Sequence, residues 1–473
     1  MSASKATGQA AGPSTFARTA AGLLVTAGLV LLFFPSLATL GTTETRALGL
    51  VLIAVGCWST EVLPPHLTSF VFFLLAVVFE VAVPGVVFSG FHSGAVWLIF
   101  SGIVLGIAIQ ETGLGTRLAE MVLARVGHSY ARTVIGVSLA AFALSFVMPS
   151  AMSRVVMLTP ILVALAGRMG YAPGSMGRDG IVLAATFSTV MAPMTILPAT
   201  VPNVVMSGLI ESIYGITLQY GAFLSLFLPV TGLLALASGI ALALLLFRNG
   251  GPAAHEDGET ARMSGREWRL AAILLLTLLL WATDAVHGVS PAWIALGAAV
   301  ICLLPRVGLV PAATLGNSGN YSPWFFVAGI VGLGAVVADS GLARTLGALF
   351  IDVFRIEAGQ DAYNFAAVIG LGSLMSLAAN AAGSAAVLTP LGGDIANATG
   401  WPLLTALLAQ VNGYLVIYLP YQTAPILTAV LLGGVHHGRA VRMCLAYSAV
   451  YLMVIAPLGF LWWRWLGMFG PGS

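Results

Sequence analysis

The sequence predicts an all-α polytopic membrane protein with about eleven transmembrane helices, two re-entrant hairpins and inverted-topology repeats. Charged residues make up 8% of the 473 residues, hydrophobic residues make up 59%, and the mean hydropathy is +0.99. Soluble domains carry about a quarter charged residues, so a soluble class is excluded. The length suffices for about eleven crossings of roughly 20 residues each.

Apolar runs bounded by charges position the individual helices. The first run is read as a retained helix, because no small-residue cleavage site follows it as it would follow a signal peptide. Internal proline-bearing segments predict that two of the spans, 181–213 and 403–433, are broken. The predicted spans lie at about 17–37, 45–63, 67–84, 94–110, 181–213, 221–247, 268–285, 291–304, 323–339, 403–433 and 440–466.

Two further apolar stretches are too short for two crossings and too long for one. Between Arg132 and Arg168 lie 35 residues, whereas two crossings need about 40 and one needs about 20. Pro149 breaks this stretch near its middle, which predicts a re-entrant hairpin. The same pattern predicts a second hairpin with its tip at Asn380. Such tips are tolerated where protein or a watery cavity surrounds them.

Three segments recur along the chain at similar offsets. Trp58-Ser59-Thr60-Glu61 recurs as Trp281-Ala282-Thr283-Asp284 after 223 residues, and Thr200-Val201-Pro202-Asn203 recurs as Thr423-Ala424-Pro425-Ile426 after the same interval. The segment that begins at Ser150 recurs at Asn380 after 230 residues. Two apolar halves interrupted at matching places are typical of secondary transporters.

The distribution of cationic residues predicts the orientation in the membrane. With a cytoplasmic N-terminus, 14 arginines and lysines lie inside and 4 lie outside, and Arg154 lies within the membrane. This asymmetry agrees with the positive-inside rule. It makes the repeats inverted, so that the first hairpin enters from the cytoplasm and the second from outside. We expect a bacterial inner membrane, with the C-terminus on the periplasmic side.

This topology divides the chain into six parts. They are a disordered N-terminus at 1–16, a first transmembrane helix at 17–44, a first repeat at 45–247, a cytoplasmic linker at 248–267, a second repeat at 268–466 and a tail at 467–473. The hairpins within the repeats lie at about 133–167 and 363–400.

Several motifs resemble those of the divalent anion:sodium symporter family, over residues from about 45 to 466. The run from Trp58 to Thr68 is similar to its tryptophan–threonine–glutamate–proline–threonine signature, and the run from Pro149 to Pro160 is similar to its first hairpin tip. Thr200-Val201-Pro202-Asn203 matches the break in the family's fifth helix, and the run from Leu419 to Pro425 resembles the break in its tenth. The resemblance implies an elevator-type carrier of di- or tricarboxylates or sulfate, usually a homodimer.

The chain departs from the family at the positions that the resemblance associates with sodium. Both family tips carry serine–asparagine–threonine, whereas here the tips read Ser150-Ala151-Met152 and Asn380-Ala381-Ala382. Pro198, Ala199 and Ile426 replace family glycines and an asparagine at the helix breaks. The resemblance implies sodium sites near Ser150, Asn203, Asn380 and Thr423. The departures instead favour exchange or H+ coupling over strict Na+ symport, which stays open as an alternative.

Broken helices explain why these positions matter chemically. Their exposed N–H groups and positive dipole ends suit an anion, and the opposite ends suit a cation. Backbone satisfaction at the breaks is the simpler alternative for every residue of the set. The candidate substrate-binding residues are Ser150, Ser153, Arg154, Thr200, Pro202, Asn203, Asn380, Ala381, Ser384, Gln422, Thr423 and Pro425.

Arg154 is the most specific single candidate. An ionisable group at membrane depth costs at least about 3 kcal/mol and usually faces a cavity or a partner. We expect it to offer a fixed positive charge to an anionic substrate, partly replacing sodium; some exchangers of the family carry arginine at the matching position, as the resemblance implies. The alternative is that the side chain snorkels or caps helix carbonyls.

Other ionisable groups are assigned structural roles. Glu61, Asp284, Glu111 and Asp339 are expected to cap helices or pair with cations, and Asp394 and the pair His436-His437 are expected to be solvated. The histidines show no metal spacing, and Cys57, Cys302 and Cys444 are read as small buried hydrophobes.

The sequence therefore predicts a secondary transporter of a small anion and no enzyme. It predicts no cofactor beyond Na+ or H+ as the coupling ion. The expected partners are the anionic substrate, the lipid bilayer and a second copy of the chain, and the net charge of +2 gives no indication of nucleic acid. Two rivals remain: a non-transporting membrane sensor on a transporter fold, and a membrane-embedded enzyme.

Overall fold

The computed structural model describes residues 15–37, 40–60, 62–123, 129–247, 263–311, 314–315 and 321–470. Within these ranges the chain is helical and contains no strand. Thr15 and Phe16, predicted to be disordered, begin the first helix. The rest of the predicted disordered N-terminus, most of the predicted linker and Glu61 lie outside the described residues.

The longer helices are numbered here in chain order. Those of the first half are α1 Thr15–Phe33, α2 Thr42–Thr60, α3 Pro65–Val78, α4 Gly94–Thr112, α5 Leu114–Leu123, α6 Tyr130–Val147, α7 Ala151–Arg168, α8 Met176–Val190, α9 Val201–Tyr214 and α10 Tyr220–Leu246. Those of the second half are α11 Gly265–Ala282, α12 Pro291–Leu303, α13 Ser322–Asp339, α14 Leu342–Phe354, α15 Asp361–Leu388, α16 Leu403–Ala409, α17 Ala424–Gly433 and α18 His437–Trp465.

The all-α polytopic prediction is confirmed. Among the described residues, seven helices are long and apolar enough to cross a membrane, and four shorter apolar helices accompany them. A helix or a broken helix lies at each predicted span. Two amphipathic helices, α5 and α14, lie outside the predicted spans, because a search for apolar runs passes over helices with one charged face. Arg117 of α5 pairs with Glu267 of α11 at 3.2 Å, which ties this helix to the second half.

Matching local structures relate the two halves. The indole N–H of Trp58 donates to the Pro65 carbonyl at 3.0 Å, and the indole N–H of Trp281 donates to the Pro291 carbonyl at the same distance. A π-helical turn at Leu228–Gly232 of α10 has its counterpart at Tyr451–Ile455 of α18. The repeats seen in the sequence are therefore repeats of structure.

Four helix breaks position the site. Residues 148–150 separate α6 from α7, and residues 191–200 separate α8 from α9. Asn380 interrupts α15, and residues 415–423 precede α17. In each half a helix–break–helix unit is thus followed by a broken helix. Whether the two helix–break–helix units are re-entrant in the membrane stays a prediction.

The broken helices are held together across the halves. Asp179, fully buried at the start of α8, accepts a hydrogen bond from Arg439 of α18 at 2.7 Å and one from the His436 N–H at 3.2 Å. An ion pair with one buried partner is costly to break, because the remaining charge is left uncompensated. His436 and His437 themselves are exposed, in agreement with the solvated position expected for them.

Candidate functional site

Ser150 caps the first hairpin helix. Its Oγ accepts a hydrogen bond from the Ser153 N–H at 3.2 Å, and the Ser153 hydroxyl lies 3.0 Å from the same oxygen. A serine at the N-cap satisfies one of the free N–H groups of the first turn. The remaining N–H groups of α7 stay available at this end of the helix.

Asn380 forms the corresponding cap in the second hairpin with a different backbone. Its φ of 61° and ψ of 174° interrupt α15 in a backbone region that is essentially confined to glycine, so the turn at this asparagine is strained. Its Oδ1 accepts hydrogen bonds from the N–H groups of Ala382 and Gly383 at 3.1 and 3.0 Å. The second tip is therefore a sharp turn into a new helix, held by its own side chain.

Thr200 and Thr423 begin the helices that follow the other two breaks. Each is the N-cap of its helix, yet neither makes a side-chain capping hydrogen bond. Both hydroxyls are buried and have no hydrogen-bond partner within the described chain. An unpartnered buried hydroxyl is costly, and such a group at a site is a reason to expect a ligand.

The four helix starts meet at one cavity of about 440 Å³. Nine of the twelve candidate residues line it: Ser150, Ser153, Thr200, Pro202, Asn380, Ala381, Gln422, Thr423 and Pro425. Arg154, Asn203 and Ser384 do not line it. None of the described residues that line it is a lysine, arginine, histidine, aspartate or glutamate, so this described lining is formally neutral.

Parallel helices are paired at the cavity, and each pair joins the two halves. α7 packs beside α17, and Thr159 contacts Gly433, each of them nine or ten residues beyond its N-cap. α9 packs beside the second arm of α15, where the Tyr214 hydroxyl donates to the Thr389 carbonyl at 3.0 Å. In the first pair these similar distances from the N-caps bring the two N-termini side by side. In the second pair Tyr214 and Thr389 lie 14 and nine residues beyond Thr200 and Asn380, and both helix starts line the cavity. Since each helix start carries about half a positive charge, four of them favour an anion.

Arg154 lies behind this surface. The side chain is fully buried and makes four hydrogen bonds. Its Nε donates to the Thr189 hydroxyl and one terminal nitrogen donates to the Thr189 carbonyl, both at 2.8 Å, and the other bonds go to the carbonyls of Met148 and Ala199. No carboxylate in the described part of the chain forms an ion pair with it. The guanidinium thus joins carbonyls of the first hairpin tip and the first helix break.

Neutral amides join the backbone at the two breaks. The Asn203 Nδ2 donates to the carbonyls of Met194 and Ile196 at 2.8 and 3.2 Å, while its Oδ1 is buried without a partner in the described chain. The Gln422 Oε1 accepts from the N–H groups of Tyr418 and Leu419 at 2.7 and 2.8 Å. These side chains shape the breaks, and Gln422 also lines the cavity.

Sequence reasoning missed several lining residues, among them Met152, Tyr421 and one face of α4. Gly102 and Gly106 lie on that face. A Cβ added to Gly102 would meet Pro149 Cγ at 3.4 Å, so this glycine lets the first hairpin tip approach closely. The four-residue spacing of Gly102, Gly106 and Gln110 was the available signal, because it marks one side of a helix.

Among the described carboxylates expected to cap a helix or pair with a cation, Asp284 alone does so, and Asp394, expected to be solvated, is half-buried. Asp284 is buried and accepts hydrogen bonds from the N–H groups of Tyr220 and Gly221, which makes it a cap for α10. Glu111 and Asp339 are exposed, and the three cysteines are buried and free. Within the described ranges, no group of three or more histidine, cysteine, aspartate or glutamate residues is placed to hold a metal ion.

Two similar halves, helices broken at matching positions and a cavity between the breaks define the chain as a multi-pass secondary transporter. It belongs to the family described as the sodium:sulfate symporter transmembrane region, whose model matches residues 17–469. This confirms the family resemblance of the sequence motifs and, at the coarser level, anion transport.

Relatives of known name agree with this family. The chain is 26% identical to a membrane protein of Cupriavidus necator, over 94% of this chain and 92% of the relative. It is 24% identical to the L-tartrate/succinate antiporter of Escherichia coli strain UTI89, over 55% of this chain and 56% of the relative. The crystal structure of the Alcanivorax borkumensis YdaH transporter matches with a TM-score of 0.53 and 18% identity, over 81% of this chain and 88% of that one, which supports the fold.

Proposed function

We propose that the protein transports small anions, such as di- or tricarboxylates or sulfate, across a bacterial inner membrane by an elevator-type movement. The observation that carries the proposal is the meeting of four helix N-termini at a cavity where Thr200 and Thr423 present unpartnered hydroxyls. The similarity to an L-tartrate/succinate antiporter supports the same substrate class.

Exchange or H+ coupling is the proposed mode. Carbonyl oxygens at helix ends are the groups that would otherwise attract a cation such as Na+. In the first half the guanidinium of Arg154 already donates to three such carbonyls. Arg154 therefore acts in this proposal as a tethered cation behind the site, and not as a group that contacts the substrate. In this proposal the guanidinium supplies, near the starts of α7 and α9, the positive charge that a sodium ion would otherwise supply.

The movement and assembly follow from the family resemblance. The hairpins and broken helices form the sliding body, and a homodimer of the remaining helices forms the frame. In this proposal the N-terminus is cytoplasmic and both hairpins are re-entrant.

Reconstitution into liposomes tests the function directly. Uptake of labelled succinate, citrate and sulfate is measured with and without a sodium gradient and with counter-substrate inside. We expect uptake that requires internal counter-substrate or a proton gradient and is unchanged when choline replaces sodium. Strict dependence on sodium would overturn the coupling mode, and ligand binding without flux would support the sensor alternative instead.

A further inference from the structure

The cavity is lined by a polar group of residues, most of it at the helix starts, and by an apolar group to which one helix contributes a whole face. The polar group comes from the starts of α7, α9 and α17 and from the second hairpin tip. The apolar group comes mainly from α4, which contributes Leu98, Ile99, Ile103 and Ile107. Trp58 of α2 and Phe326 of α13 extend it. The helix starts also contribute apolar side chains, among them Met152, Val201 and Val204, whereas the face of α4 is apolar up to Gln110.

The contribution of α4 is a continuous stripe along the cavity. Its lining residues follow one another at intervals of one, three or four positions, which places them on one face of the helix. Gly102 and Gly106 lie within the stripe and leave room beside the hairpin tip. The stripe ends at Gln110, the one polar side chain that α4 adds to the lining.

These two groups discriminate between kinds of anion. A compact inorganic oxyanion is charged on every side, and an apolar surface beside it removes water without replacing the lost hydrogen bonds. An organic anion can direct its acid groups to the helix starts and its carbon atoms to the stripe. The volume of about 440 Å³ lies in the range of sites for organic ligands.

We propose that the substrate is an organic anion whose apolar carbon skeleton lies against the α4 stripe, and that Ile103 contributes to this preference. Sulfate and phosphate are disfavoured as substrates. The inference rests on the proposed function and narrows its substrate class.

Competition in proteoliposomes tests the inference. Uptake of labelled succinate is measured against unlabelled succinate, methylsuccinate, dimethylsuccinate, sulfate and phosphate. We expect each added methyl group to lower the half-inhibitory concentration by up to about fourfold, as burial of one methylene predicts. Inhibition or uptake of sulfate or phosphate equal to that of succinate would overturn the inference while leaving anion transport intact. If no anion is taken up, the proposed function fails and the inference fails with it.

A matched pair of variants assigns the preference to the stripe. Ile103→Val and Ile103→Thr give side chains of the same shape that differ in one hydroxyl. We expect Ile103→Val to keep the advantage of methylated succinates and Ile103→Thr to reduce it severalfold. Equal selectivity in the two variants would show that Ile103 does not contact the carbon skeleton.

Discussion

In each half the hairpin tip lies close to the break in the broken helix that follows it, and the two halves hold these parts in different ways. In the first half the buried cation Arg154 donates to the carbonyls of Met148, Thr189 and Ala199. The position that matches it in the second half is Ser384, whose hydroxyl donates only to the Gly372 carbonyl, at 3.1 Å. There the amide of Gln422 joins the break instead. The same architecture is thus stabilised with a buried charge in one half and without one in the other. The architecture as such therefore does not require a cation at this position.

Replacing Arg154 by serine, the residue at the matching position of the second half, should produce the largest loss of stability. In Arg154→Ser, three carbonyls lose their donor, and each buried unpaired group costs about 1–3 kcal/mol. We expect a loss of several kcal/mol and a clear drop in the melting temperature of the detergent-solubilised protein. Ser384→Ala, which removes one hydrogen bond, should cost about 1 kcal/mol.

Sodium sharpens this comparison. If the carbonyls around Arg154 form a cation position, NaCl should restore part of the melting temperature of Arg154→Ser, and choline chloride at equal ionic strength should not. A melting temperature that drops equally in Arg154→Ser and Ser384→Ala would contradict the special role of the first half.

The hydroxyls of Thr200 and Thr423 occupy matching positions and are alike in the two halves, so they test a feature that the halves share. Thr200→Val and Thr423→Val keep the side-chain shape and remove a group that has no partner within the described protein. We expect each to raise the KM for substrate about tenfold, as loss of a hydrogen bond to a charged group predicts, with little change in melting temperature. Loss of stability with an unchanged KM would mean that the hydroxyls serve the fold.

The paired tryptophans should give the smallest effect. Trp58→Phe and Trp281→Phe each remove one indole hydrogen bond to a proline carbonyl, worth about 1 kcal/mol of stability. Only Trp58 lines the cavity. Melting temperatures should therefore fall alike, while the KM changes in Trp58→Phe alone. A matching change of KM in Trp281→Phe would indicate an indirect effect through the fold.

The sequence was most informative where a local pattern is compatible with only one kind of structure. Apolar runs predicted the spans because the bilayer fixes their length and polarity, and prolines and repeated motifs predicted the breaks. The tips at Ser150 and Asn380 were identified because the repeats align them. Nine candidate residues therefore line one cavity.

The sequence was less informative about where a side chain points and which distant segment it meets. Arg154 was expected near the substrate because its charge is conspicuous, but its long side chain reaches away from the lining to carbonyls 35 and 45 positions further along the chain. The lining face of α4 has no charge, and its regular glycine spacing marks one side of the helix without indicating which neighbour that side meets. Such information is contained in packing between distant segments and not in local pattern.

The helix pairs at the cavity have a consequence for the chain as a whole. α7 belongs to the first half and its partner α17 to the second, and α9 and the second arm of α15 are paired in the same crosswise manner. Neither half possesses a complete anion position of its own, since each pair of N-termini is shared. Two fragments produced separately would have to interlock before any site existed. The proposed binding position is in this sense a property of how the two halves are intertwined.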